Sequence, residues 1–128
     1  MRLQQWRWLA CGAAVYGLSA VILAALGAHA ISLDNPDAER LWNVALQIHM
    51  FHAVAMLAIA AFAASLPSRG FTPGWVLMAL GTLFFSGSLY LRAAGILLLP
   101  QGLPPFGGML LMLAWLWVGG VLLWKDTK

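Results

Sequence analysis

Four apolar runs of membrane-crossing length, separated by short polar breaks, leave this chain little choice of fold. They cover residues 8–30, 41–66, 74–99 and 106–124. A bilayer core about 30 Å thick takes about 20 residues of α-helix to cross. Unpaired backbone groups cannot face lipid, so each run is expected to be helical. Composition closes the water-soluble alternative. Of the 128 residues, 62% are apolar and 9% charged, whereas a small soluble domain hides only about two-thirds of what its unfolded chain exposes. The expectation is an all-α membrane protein, a single integral membrane domain over residues 1–128 folded as a four-transmembrane-helix bundle.

The breaks carry helix punctuation. Between the first two runs, Asn35 followed by Pro36 predicts an N-cap and first-turn pair, so the second helix should begin outside the bilayer, before Trp42. Residues 67–70 (Pro-Ser-Arg-Gly) end the second run, and Thr72-Pro73 is expected to cap the third in the same way. The third run has a potential break at Gly95, and residues 100–105 form the last connection. The first run, preceded by Arg2 and Arg7, resembles a signal peptide down to Ala28-His29-Ala30, but its apolar stretch exceeds the usual signal core. An uncleaved first helix is expected.

The net charge of +3 is set by a few basic residues at segment ends. That pattern speaks for topology and against nucleic acid. Arg2, Arg7, Arg69, Lys125 and Lys128 fall on one side; Arg40 falls on the other with Asp34, Asp37 and Glu39. The positive-inside rule then predicts both termini in the cytoplasm of a bacterial-type inner (plasma) membrane. Trp6, Trp8, Trp75 and Trp124 would mark the inner interface and Trp42 the outer one. The lone Cys11 forms no intrachain disulfide and reads as an inert thiol in an apolar run.

Helices in lipid associate through close contact at small residues. Ala13, Gly17, Ala20, Ala24 and Gly27 form one stripe on the first helix. Ala45, Ala53, Ala60 and Ala64 on the second helix, Gly74, Gly81, Gly87, Ser88 and Gly95 on the third, and Gly107, Gly108, Gly119 and Gly120 on the fourth are the other expected packing positions. Helix packing is favoured over a ligand groove for all of them.

Polar residues inside spans are the best functional pointers. Counting inward from Trp42 at about 1.5 Å per residue puts Gln47 about 7 Å deep, His49 about 10 Å and His52 about 15 Å. Counting outward from Trp75 lifts Ser86 about 16 Å, Tyr90 about 22 Å and Arg92 about 25 Å. Ser86 is then expected level with His52, and Tyr90 level with His49. The candidate polar layer is His49, His52, Ser86, Ser88 and Tyr90, with His29 above it at the outer interface. Three readings compete. The favoured one has neutral histidines hydrogen-bonded across helices to fix their pairing. A second makes His49 and His52 ligands of a haem or metal, with sulfur available from Met50, Met56, Met109 or Met112. No metal-ligand motif accompanies the pair, so no cofactor is assigned. A third is a proton or small-solute conduit; the lack of any acidic residue within the apolar runs speaks against a coupled transporter. Arg92 is expected to snorkel outward or pair with Asp34, Asp37 or Glu39, as an anchor rather than a contact for an anionic lipid or a quinone. Ser86 and Ser88 have no carboxylate to orient a histidine base, so no catalytic constellation is found.

Four motifs together carry a family resemblance: Gly27-Ala28-His29, His52-Ala53, Phe85-Ser86-Gly87-Ser88-Leu89-Tyr90 and Pro105-Phe106-Gly107-Gly108. In this order they resemble the YgdD-like family of small membrane proteins, which includes transmembrane protein 256, over nearly the whole chain. The resemblance implies a four-helix inner-membrane protein of a domain-of-unknown-function family and supplies no reaction. His49 and Arg92 lie outside the matching motifs, so a site on His49 would belong to this chain rather than to the family. The functional expectation is a non-enzymatic structural or accessory membrane component, whose partners are the lipid bilayer and a homo-oligomer or larger membrane complex.

Overall fold

The structure, a computed structural model, describes residues 2–66, 70–96 and 99–124. It contains four helices: α1 (Arg2–His29), α2 (Pro36–Ser65), α3 (Thr72–Ala93) and α4 (Leu103–Leu123). All four are long and apolar enough to cross a membrane. Short connections make sequence neighbours antiparallel, and α1 packs on α2, α2 on α3 and α3 on α4. The α2–α3 pair is central. Its groove on one side takes α1, which reaches α3 through Tyr16 and Ala79. On the other side α4 reaches α2 through Trp115 and His52.

Local chemistry sets the helix ends. Asn35 Oδ1 accepts from the Ala38 N–H at 2.8 Å. Pro36 follows it, and Asp37 and Glu39 occupy the positive first turn of α2. At about 1.5 Å per residue this helix is about 45 Å long and overruns the bilayer core. Thr72 does not cap α3. The N-cap is Phe71 with no side-chain bond, and the Thr72 hydroxyl instead accepts from Gln5 Nε2 of α1 at 2.8 Å. At its far end α3 stops at Ala93, short of the 99 expected. Gly95 takes a φ of +84° there, and the Ile96 N–H reaches back to the Leu91 carbonyl at 2.8 Å. That left-handed close is one a glycine adopts without the clash a Cβ would bring.

Packing follows small residues, though not all those expected. Ala13 and Ala20 of α1 are buried, and Ala24 and Gly27 half-buried. Gly17 has nothing within 4 Å of where a Cβ would stand, so it is not a packing contact of this fold. The positions that decide how α1 sits are Gly27 and Gly12, the second absent from the expected stripe. Each receives a tryptophan. A Cβ on Gly27 would collide with the indole nitrogen of Trp42, and one on Gly12 would stand 2.7 Å from Cζ2 of Trp75. Trp42 is turned into the protein rather than toward lipid; it is 3% exposed, wedged between α1 and the ring of Tyr90, 4.8 Å away. Trp6, Trp8 and Trp124 are the exposed tryptophans near segment ends.

The α3–α4 seam is the closest approach. A Cβ on Gly107 would meet the Phe85 backbone nitrogen and, at 2.8 Å, the Gly81 carbonyl oxygen. One on Gly81 would stand 2.8 Å from Leu111 Cγ. Gly108 makes a looser contact, 3.7 Å from the Phe85 ring. Gly87 would meet only Leu83 of its own helix and Gly95 nothing, so neither belongs to a seam.

Candidate functional site

The polar side chains within the spans fall into two groups rather than one layer. The first gathers where α1, α2 and α3 meet. Ser19 Oγ donates to the Tyr16 carbonyl at 2.9 Å. With that proton committed, its lone pairs accept from His49 Nε2 at 3.2 Å. His49 Nδ1 is then left to accept from the Tyr90 hydroxyl, also at 3.2 Å. The Tyr16 ring stands edge-on to His49, centroids 5.7 Å apart, and its own hydroxyl donates to the Ala79 carbonyl at 2.7 Å. One imidazole thereby ties three helices together, with both nitrogens used in a single neutral tautomer.

The second group lies between α2 and α4. His52 Nδ1–H donates to the Ile48 carbonyl one turn back at 2.8 Å, and Nε2 accepts from the Trp115 indole at 3.2 Å. Phe51 and Trp115 pack edgewise on the ring. His49 and His52 share a helix but bond to different neighbours, so they do not converge on one ligand. Among the described residues no group of three His, Cys, Asp or Glu side chains is disposed to hold a metal.

The other expected residues are placed as follows. Ser86 is buried and donates to the Ala45 carbonyl at 2.8 Å, not to His52. Ser88 bonds the Phe85 carbonyl of its own helix at 2.9 Å and ties nothing across helices. His29 is exposed at the end of α1, away from both groups. Arg92 donates to the Pro100 carbonyl at 3.1 Å, which fastens the α3–α4 connection. Asp37 instead makes an exposed ion pair with Arg40 at 3.7 Å. Arg69, Lys125 and Lys128 lie outside the described residues.

The register differs from the one counted off tryptophans. Ser86 lies opposite Ala45, about 10 Å nearer the start of α2 than His52 at 1.5 Å per residue. The cause lies in the two markers: Trp42 and Trp75 are both wedged against α1, where helix packing rather than the interface sets their position. Tyr90 still reaches His49 because a helical side chain leans toward its own N-terminus, which carries this hydroxyl back along α3. Tyr16, Ser19 and Trp115 were not among the expected site residues. The signal for the first two was available, since a tyrosine and a serine three apart in an otherwise apolar span share a helix face.

Comparison with known proteins places this architecture in company. Residues 23–108 match the family described as Protein of unknown function (DUF423). The chain is 33% identical over 108 residues to the UPF0382 membrane protein YwdK of Bacillus subtilis, covering 82% of this chain and 87% of that one. It is 36% identical over 110 residues to the UPF0382 inner membrane protein YgdD of Escherichia coli (strain K12), covering 85% and 84%. A UPF0382 membrane protein of Schizosaccharomyces pombe, C1782.12c, is 32% identical over 114 residues, covering 80% and 91%. No solved structure matches significantly.

Proposed function

Starting from the fact that this chain belongs to the DUF423 family, whose relatives are named membrane proteins, we propose that it is a non-enzymatic scaffold or accessory component of the inner membrane. One observation carries the reading: the candidate polar residues buried in the spans, His49, His52, Ser86 and Tyr90, spend their hydrogen bonds inside the fold. Each bonds within or between helices, and none turns toward a common cleft. Such bonds contribute about 0.6 kcal/mol each, and their main effect is to choose which helices pair and in what register. No acidic side chain lies in the apolar part of any span to orient a histidine as a base.

Both termini face the cytoplasm in this proposal, supported by the basic residues at 2, 7, 69, 125 and 128 against Arg40 on the opposite side. A reporter fused to the C-terminus and active only in the cytoplasm should be active; an inactive one in a folded fusion sinks that orientation. The partners are the lipid bilayer and neighbouring membrane subunits, either further copies of this chain or a larger complex.

The test is an absorption spectrum with elemental analysis on protein extracted in mild detergent. A colourless preparation without stoichiometric metal is expected. A Soret band or bound metal that disappears in His49→Ala or His52→Ala would replace the scaffold by a redox role. Solute or proton flux in liposomes that depends on His52 would replace it by a conduit.

A further inference from the structure

One polar group at the three-helix junction is left over. Thr82 of α3 is 1% exposed, and its hydroxyl has no hydrogen-bond partner in the protein. A hydroxyl so placed costs roughly 1–3 kcal/mol if it stays unpaired.

Its neighbours follow from the helix registers. Tyr16 bonds Ala79 at an offset of 63 residues, and Gly12 meets Trp75 at the same offset, so Ser19 of α1 runs beside Thr82 of α3. Ser86 lies opposite Ala45 on the antiparallel α2, and one turn along both helices brings Thr82 opposite His49. Facing agrees with level. Thr82 is buried and lies one turn from Ser86, whose side chain points at α2. Its hydroxyl is therefore turned toward α2 at the level where Ser19, His49 and the Tyr90 hydroxyl already meet.

We propose that this junction is a binding site for an internal water molecule, held by Thr82 Oγ1 and the Ser19–His49–Tyr90 group at the centre of the membrane-spanning bundle. The chemistry suits water and little else. The four side chains offer hydroxyls and a neutral imidazole with no net charge, so an ion finds no counter-charge. Buried waters take about three hydrogen bonds from such groups. The proposal goes beyond the scaffold reading, since a hydrated junction is compatible with a scaffold or with a conduit.

The three histidines make the experiment self-calibrating. With imidazole-labelled protein in bilayers, magnetisation transfer from water to each ring is followed by solid-state NMR. His29, exposed, reports bulk water, and His52, bonded to Ile48 and Trp115, reports a dry site. His49 should receive water magnetisation several-fold faster than His52. Thr82→Val should reduce that transfer to the His52 level and lower the unfolding midpoint, while Thr82→Ser should preserve both. His49 as dry as His52 in the unaltered protein overturns the proposal without any variant, even if Thr82→Val does not fold. Transfer unchanged in Thr82→Val overturns it too. So does a raised midpoint in that variant, because replacing a hydroxyl that is merely unpaired by a methyl stabilises.

Discussion

The α3–α4 seam and the α1–α2–α3 junction are built on opposite principles. At the seam, Gly81 and Gly107 remove side chains until backbone meets backbone. At the junction, Ser19, His49 and Tyr90 hold three helices by hydrogen bonds through side chains that keep the backbones apart. The seam draws its stability from contact area, which fails abruptly when atoms are added. The junction draws it from a few bonds of modest strength, and specifies partners more than it tightens them. A bilayer offers no hydrophobic drive between helices, so these two devices do most of the work that a greasy core does in water.

The sharpest way to break the comparison is to add one methyl group to the seam. Gly107→Ala should destabilise by about 3 kcal/mol, because its Cβ would meet the Phe85 and Gly81 main chains, which cannot swing aside. Unfolding in mixed micelles reads this directly; a change below about 1 kcal/mol would mean that the helices are not in backbone contact. His49→Leu comes next. It should cost about 1–2 kcal/mol by leaving Ser19 and Tyr90 short of a partner, and more than His52→Leu, whose loss frees one cross-helix bond. Equal costs for the two histidines would erase the distinction between junction and periphery. The coupling between His49 and Tyr90, from a cycle of His49→Leu and Tyr90→Phe, should be about 0.6 kcal/mol. Smallest of all, Gly17→Ala and Ser88→Ala should stay within about 0.5 kcal/mol, since one meets nothing and the other loses only a bond to its own helix. A large cost at Gly17 in bilayers but not in dilute detergent would instead reveal that it packs against another chain.

Helix number and type were legible in the sequence, because a bilayer's thickness and its intolerance of bare backbone admit few solutions. So was the burial of His49, His52, Ser86 and Tyr90, since polar groups within an apolar run have reason to turn inward. Register was not. It was counted from Trp42 and Trp75 on the premise that tryptophans float at the interface, and Gly27 and Gly12 in another helix made both of them wedges. Nothing in the local sequence of Trp42 distinguishes the two uses. The stripe on α1 failed at Gly17 and missed Gly12 for the same reason: small residues at helical spacing state where an approach is permitted, and a large side chain on another helix decides which permission is taken.

The paired sockets on α1 also bear on the order in which the fold can close during synthesis. Chains emerge N-terminus first, so α1 is in place before either tryptophan exists. The end of α1 near Gly27 finds Trp42 as soon as α2 inserts; the end near Gly12 stays without its ring until α3 delivers Trp75. The first helix is thus a clasp with two catches. It is fastened by the second helix at the Gly27 end and, through Ser19 and His49, at mid-length, and a chain truncated after α2 would leave the Gly12 end without its catch.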